Sequence, residues 1–381
     1  MKSNIFLIRV CRTWPSKTHN GVGLHSYYYS KYINIKTIVF FKEDKNYQDI
    51  YSLPNIKLKK IKYEDLKARS GKRIRLFSLI ALSKIYGELR MLVRLLKSIK
   101  EKSKNDLLII HVHSSIYLLS SVIFSFFQKS IVILQLGGSE INRFKHSPIH
   151  QFLLNKVDGC VCVTNQFSEE IRKFNPKIKT KVIDNGVDLN IFKGSNKKNP
   201  NYFVSIGNLR WQKNFKMLIN AFYNFRKINS SARLDIFGEG PLYDELQDQI
   251  INLNLSGVVN LKGLTKQDDL AKSLSKAYIY FQSSIQEGLA KSILEAICCG
   301  TPVISTNAGA CGIFAKKYGI GLNSFEEEEY LQAMIKLYED KNLWLKSHQN
   351  CLKNRNQFSW KYVSAKVLEL YQELINEKEI L

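Results

Sequence analysis

No stretch of the chain approaches the roughly 20 apolar residues that a membrane-spanning helix requires; runs such as 116–127 fall well short. Proline-rich linkers, low-complexity tracts and internal repeats are also missing, so nothing points to a repeat or fibrous architecture. The first ten residues hold a short apolar run broken by Arg9 and no small-residue cleavage site, so no secretory signal is read there. The seven cysteines (Cys11, Cys160, Cys162, Cys298, Cys299, Cys311 and Cys351) are odd in number and form no C-x-x-C pair. Cys160 and Cys162 fall in an apolar strand pattern, Cys298 and Cys299 in a helical one. Buried thiols in a reducing cytosol follow, with neither a disulfide framework nor a metal site.

What is present is a chain of 381 residues, 45% hydrophobic and 24% charged, the profile of a folded protein with length for two domains. Lys and Arg number 57 against 33 Asp and Glu, a formal +24. Half of that excess lies in 55–104, with 16 basic and four acidic residues. Within it 73–100 reads as a long helix with Leu76, Leu79, Ile80, Leu89, Leu92, Leu96 and Ile99 set among Arg75, Lys84, Arg94 and Lys97. Such a helix either lies on an anionic membrane surface or packs on a core with a solvated basic back. Nucleic acid is not indicated, because no aromatic-basic RNA signature or DNA-reading motif accompanies the charge.

Strand-length apolar runs alternate with helical patterns almost throughout, the mark of parallel sheets wrapped by helices. In the first half the expected strands are 5–10, 37–41, 56–61, 107–112, 131–136 and 159–163. After a polar segment at 193–201, read as a linker, a second series follows at 202–206, 234–237, 258–261, 279–281 and 303–305. The class is α/β, with two doubly wound sheets in tandem and a closing helix over 358–375. Ligands of such sheets sit outside the carboxyl ends of the strands, where loops feed helix N-termini.

The densest constellation is Gln286-Glu287-Gly288-Leu289-Ala290-Lys291-Ser292-Ile293-Leu294-Glu295-Ala296, followed by Gly300-Thr301-Pro302-Val303. A polar loop leads into a helix from about Ala290 that stops at Gly300. Small residues let a ligand approach the backbone, and the helix start offers unpaired N–H groups at a positive dipole end, a seat for phosphate. Glu287 in the loop and Glu295 in the helix are placed to accept from sugar hydroxyls on either side of a diphosphate.

Two glutamates with seven residues between them, then E-A-x-x-x-G-x-P-V, resemble the retaining glycosyltransferases of family 4. Other segments share the resemblance: Val204 to Asn214 with Gly207 and Lys213, Gly238-Glu239-Gly240-Pro241, Gly263-Leu264, Asn185-Gly186-Val187-Asp188 with Phe192, and Phe358-Ser359-Trp360. The likeness is dense from about residue 183 and thin before it. It implies the GT-B fold: two Rossmann-like domains facing across a cleft, an acceptor-side domain at 1–190, a nucleotide-sugar domain at 191–357, and a final helix at 358–381 crossing back to the first.

The resemblance also implies roles. Glu295 corresponds to the glutamate on the donor ribose, Glu287 to the one on the transferred sugar, and Lys213 to the lysine on the diphosphate. Gly288, Leu289, Ala290 and Lys291 would line the donor seat, with Gly238, Gly240, Gly263 and Leu264 beside them. The arginine usual after the glycine is Asn208 here, and Arg210 is the candidate replacement. In the first domain Gly21 and Gly23 resemble the family's glycine loop. His113, with His111 before it, closes a strand where the family often has histidine, though a strand-end core histidine accounts for it equally. Where many relatives carry a histidine beside the sugar this chain has Gly137, so no histidine base is supported; Gly138 and Glu140 follow as cleft candidates. With no D-x-D pair, no metal is expected, and cations plus helix N–H groups would stabilise the departing diphosphate.

The expected activity is glycosyl transfer from a nucleotide-sugar to a lipid-linked saccharide acceptor, at the cytoplasmic face of a membrane in surface-polysaccharide assembly. A nucleotide-sugar epimerase of the same fold and a non-catalytic subunit of a polysaccharide-assembly complex are the alternatives.

Overall fold

The segment Ile131–Leu136 is a continuous run of Ile, Val, Leu and one Gln, and all six residues are buried, as befits a strand covered on both faces. It is the fifth strand of a parallel sheet. The structure is a computed structural model and describes residues 5–13, 24–42, 53–61, 73–103, 106–136 and 141–380. The chain divides into two units, Met1–Asp184 with Ser364–Leu381, and Asn185–Val363.

In the first unit the strands are β1 (Ile5–Thr13), β2 (Thr37–Lys42), β3 (Ile56–Ile61), β4 (Leu107–Val112), β5 (Ile131–Leu136), β6 (Gly159–Cys162) and β7 (Lys179–Val182). They lie in the order β3-β2-β1-β4-β5-β6-β7, and neighbouring strands are parallel. Side chains alternate across the sheet. Phe6, Ile8, Val10, Leu108, Ile110 and Val112 pack on one face with Met91, Leu95, Leu118 and Phe124. The opposite face carries Arg9, paired in register with His111.

Two of the strands lack an apolar run that sequence can show. Strand β7 reads Lys-Thr-Lys-Val at a sheet edge, half-buried throughout, and its lysines hide the apolar signal. Lys181 pairs with Glu369 at 3.0 Å and Glu373 at 2.8 Å, and Lys179 with Glu377. Those glutamates lie on the last helix, Trp360–Ile380, whose residues from Ser364 on belong to the first unit. Lys378 extends the anchor, donating to the Ser130 carbonyl at 2.8 Å and pairing with Asp158 at 3.1 Å.

Helix Arg73–Ser98 corrects the apolar stripe read from sequence. Met91 and Leu95 are core, with Leu92 and Ile99 packed against it. Leu89 and Leu96 instead face outward with Tyr86 and Val93. The helix carries two apolar faces. The side chains of Leu76, Leu79, Ile80 and Lys84 lie outside the described residues. Among the described residues no helix is long and apolar enough to cross a membrane.

In the second unit the strands are β8 (Asn199–Ile206), β9 (Arg233–Phe237), β10 (Val259–Leu261), β11 (Ala277–Gln282), β12 (Val303–Ser305) and β13 (Gly319–Gly321). Their order is β10-β9-β8-β11-β12-β13, again parallel. Phe203, Leu234, Ile236, Ile279 and Phe281 fill one face, and Val204, Tyr280 and Val303 the other. Both units are thus doubly wound, Rossmann-like sheets. Strand β13, Gly-Ile-Gly, offered no run to read.

The segment 193–201 is not a free linker. Asn199–Asn201 already belong to β8, and Lys198 Nζ donates to the carbonyls of Leu274 at 3.2 Å and Cys299 at 2.9 Å and to Thr301 Oγ1 at 2.7 Å. Its polarity serves buried carbonyls of the second unit. The division between units falls at Asp184/Asn185 and Val363/Ser364. Val187 N–H donates to the Phe358 carbonyl at 2.7 Å, tying the Asn-Gly-Val-Asp segment to Phe358-Ser359-Trp360. All seven cysteines are buried free thiols.

Candidate functional site

The expected donor-site residues in the second unit gather where β8, β9, β10 and β11 end. Strand β11 runs into a loop at 283–290 and then the helix Lys291–Cys298. That helix forms because Ile293, Leu294, Ala296 and Ile297 bury its core-facing side. Its N-cap is Ala290, which supplies no side-chain acceptor, so the first-turn N–H groups keep their positive end for a ligand.

Two loops are bolted together here. Ser283 Oγ donates to the Lys213 carbonyl at 2.7 Å and Ile285 N–H to the Gln212 carbonyl at 2.8 Å. The far side of the 283–290 loop is held by Ala310 N–H on the Gly288 carbonyl at 2.7 Å. Gly309 stands beneath it with φ +57, and a Cβ there would lie 2.3 Å from the Glu287 and Gly288 carbonyl oxygens. In that frame Lys213 Nζ forms an ion pair with Glu287 Oε2. Each side chain is about four-fifths buried, 20% and 23% exposed, so the pair is neither a solvated surface contact nor sealed from a ligand. Lys291 pairs with Glu295 at 3.1 Å, and Glu295 is buried.

Beneath the seat runs a polar ladder that sequence reading missed. Tyr280 hydroxyl reaches Gln282 Oε1 and Ser292 Oγ, both at 2.7 Å, and Gln282 Nε2 donates to Ser284 Oγ at 2.6 Å. Burial pushes the Tyr280 phenol up, so it stays a neutral donor. The only available signal was Tyr280, Gln282 and Ser284 at alternate positions of one strand and its exit.

The glycine loops are stitched to one another. Gly207 N–H donates to the Phe237 carbonyl at 2.9 Å, Gly238 N–H to Gly263 at 3.0 Å, and Leu209 N–H to Glu239 at 2.9 Å. Gly238 has φ +136 and leaves no room, since a Cβ would meet the Gly207 carbonyl oxygen at 2.0 Å. Glu239 Oε1 accepts from Leu264 N–H at 3.2 Å. Gly238, Gly240, Gly263 and Leu264 therefore form one rim, with Leu264 exposed.

Arg210 and Asn208 are exposed, and among the described residues the Arg210 side chain makes no hydrogen bond or ion pair. The residues expected in the first unit divide. Gly21, Gly23, Gly138 and Glu140, like Gly137, lie outside the described residues. His113 is buried at the end of β4, where Arg9 Nη1 donates to its Nε2 at 3.3 Å. Arg9 itself was passed over, because one basic residue in a strand pattern reads as a break in an apolar run.

A seat with an uncapped helix start, a lysine and two carboxylates suits a ligand that is anionic at one end and hydroxyl-rich at the other. Residues 187–358 match the family described as glycosyl transferases group 1. An uncharacterised glycosyltransferase of Methanocaldococcus jannaschii is 26% identical over 252 residues, covering 64% of this chain and 68% of that one. The Campylobacter jejuni protein named N-acetylgalactosamine-N,N'-diacetylbacillosaminyl-diphospho-undecaprenol 4-alpha-N-acetylgalactosaminyltransferase is 29% identical, over 40% of this chain and 41% of its own. Among solved structures, Anabaena HepE in complex with UDP superimposes with a TM-score of 0.74 at 17% identity, covering 97% of this chain and all of that one. Sucrose-phosphate synthase of Thermosynechococcus elongatus gives 0.76 at 15% identity over 98% and 100%. The fold is that of GT-B glycosyltransferases. The family match and these relatives support a glycosyltransferase of group 1.

Proposed function

We propose that the chain transfers a glycosyl group, with retention of configuration, from a nucleoside-diphosphate sugar to a saccharide acceptor carried on lipid, in assembly of a surface polysaccharide. The observation that carries this is the Lys213–Glu287 pair set in the loop that feeds the uncapped helix Lys291–Cys298. The N–H groups and Lys213 would take the diphosphate, Glu287 the transferred sugar and Glu295 the ribose. Glycine rims at 238–240 and 263–264 would admit the nucleoside. Arg210 is assigned to the phosphates in place of the guanidinium missing at Asn208.

In the transfer the anomeric C–O bond to phosphate breaks, the acceptor oxygen bonds to the same carbon, and its proton passes to the departing phosphate oxygen. The charge that develops on the diphosphate is met by groups already in place, which is where such sites gain most of their rate. No metal is assigned a role. The family-matched relatives favour transfer over epimerisation, and a lipid acceptor draws support from relatives named for diphospho-undecaprenol and for monoglucosyldiacylglycerol synthesis.

A lipid acceptor fits the outward face of helix Arg73–Ser98. Tyr86, Leu89, Val93 and Leu96 are exposed at spacings of three and four, with Arg90, Arg94 and Lys97 among them. We assign this face to the anionic cytoplasmic leaflet, which places the enzyme at the membrane periphery. The donor reading is tested by thermal melting against a panel of nucleotide-sugars. A true donor at a hundred times its dissociation constant stabilises by about 2.7 kcal/mol, and a panel without any response rejects it.

A further inference from the structure

The first unit buries a cation that meets no counter-charge among the described residues. Arg9 projects from the middle of β1 onto the face shared with helix Leu24–Tyr32 and the last helix, and it is fully buried. Among the described residues no carboxylate pairs with it. Its contacts fall on one side: Nη1 donates to His111 Nδ1 at 3.2 Å and to His113 Nε2 at 3.3 Å. The Tyr29 ring lies 5.4 Å from Cζ. Arg9 Nε and Nη2 have no partner. These two share one edge of the guanidinium, the fork that grips two oxygens of a carboxylate or phosphate.

The histidines extend this donor set. Arginine can only donate, so the ring nitrogens it reaches are acceptors, and each neutral imidazole carries its proton on the other nitrogen. Those are His111 Nε2 and His113 Nδ1, both buried and neither closing a hydrogen bond, with the Gln135 side chain beside His113. The Tyr371 hydroxyl, 2.6 Å from His111 Nδ1, lies on the occupied side. Burial beside Arg9 holds both imidazoles well below their ordinary range, so they remain donors that add no charge. Four N–H donors around a single positive charge are thus left over. Water would satisfy the hydrogen bonds and leave the buried charge uncompensated, which is costly. An oxyanion answers both. His113 and Gln135, 7% and 6% exposed, stand at the carboxyl ends of β4 and β5, the edge where ligands of open parallel sheets bind.

We propose that Arg9, His111 and His113 form an oxyanion site in the first unit, which takes one phosphoryl or carboxylate group on Arg9 Nε and Nη2 and the two outer imidazole N–H groups. Its residues all belong to the first unit, and it does not depend on the transferase reading.

The test is titration of the full chain, labelled with ¹⁵N-arginine, with inorganic phosphate or with acetate at constant ionic strength. The Arg9 Nε–H resonance, assigned by its loss in Arg9→Met, should shift saturably. His113→Phe keeps the stacked ring and removes one N–H, and should weaken the response at least tenfold, the lower worth of a charge-assisted hydrogen bond. Lys213→Ala should leave it unchanged, which separates this site from the donor seat. If Arg9→Met does not fold, Arg9→Lys gives the assignment. A response to phosphate alone names a phosphoryl ligand, and one to acetate alone a carboxylate. An Arg9 signal that moves with neither, or moves equally in His113→Phe, overturns the proposal and leaves ordered water as the occupant.

Discussion

Replacing Lys213 by alanine removes the ammonium of the donor seat while sparing the fold around it. The loop does not depend on the side chain, because Lys213 contributes its carbonyl to Ser283 and Gln212 its carbonyl to Ile285. The folding cost is that of one partly buried ion pair, about 1 kcal/mol, or roughly 2–4 °C in Tm for a domain of this size. The catalytic cost is larger. A contact between an ammonium and the leaving diphosphate is worth about 1.5–3 kcal/mol, which is about tenfold to over a hundredfold in rate. The structure adds to it, since the variant leaves Glu287 without its cation, facing an incoming anion. We therefore expect kcat/KM to fall on the order of a hundredfold, with Tm lower by only those few degrees. In Lys213→Ala/Glu287→Ala the two losses should not add, because the partners act on each other. The assay is release of nucleoside diphosphate at several donor concentrations, alongside thermal melting. Parent kinetics in Lys213→Ala, or full additivity in the double variant, would refute the reasoning.

Glu295→Ala should raise the donor dissociation constant, whereas Glu287→Ala should mainly lower kcat; calorimetry and steady-state kinetics separate the two. Gly238→Ala forces a side chain into φ +136 and onto the Gly207 carbonyl, so we expect a loss of at least about 2–3 kcal/mol and a Tm lower by roughly 5–10 °C. For His111 and His113 the folded pKa values lie below the unfolded value near 6.5, so the unfolded chain binds more protons once pH drops below that point. Their stability is intact above about pH 6.5 and falls with acidification, by up to about 1.4 kcal/mol per pH unit for each ring. The groups facing them are Arg9, His25, Tyr29 and Tyr371, and melting of the parent against His113→Phe between pH 7.5 and 5 checks the slope. Substituting Glu at Leu89, Val93, Arg90 and Lys97 should abolish co-sedimentation with anionic vesicles, where each basic residue contributes about 1 kcal/mol; equal binding of parent and variant would assign that face elsewhere.

Much of the fold was legible because the central strands are buried on both faces. Ile131–Leu136 and Leu107–Val112 are near-continuous apolar runs, and their bounds could be read directly. The edge strands β7 and β13 were not legible. Lys179 and Lys181 look like loop residues until the glutamates of the last helix, nearly 190 residues on, supply their partners. The basic helix misled for a related reason: apolar residues recurred at helical spacing on two faces, and sequence alone could not say which one met the core. In the candidate site the glutamates, the lysine and the glycines carried a readable spacing. Their ion pair did not, because Lys213 and Glu287 stand 74 residues apart and meet only through the adjacency of β8 and β11. Arg9 was illegible in a stronger sense, since its surroundings come from β4, helix Leu24–Tyr32 and the last helix at once.

Above all, we propose that the seat at Lys213, Glu287 and Glu295 transfers a sugar from a nucleotide donor. The most direct measurement incubates the enzyme with the nucleotide-sugar that stabilises it and a lipid-linked saccharide in anionic vesicles, then follows nucleoside diphosphate and the anomeric proton of the product by NMR. Transfer with retention should show acceptor-dependent release of the diphosphate, a product with the donor's anomeric configuration, and persistence of both in the presence of a chelator. Release that ignores the acceptor, or a product of inverted configuration, contradicts it.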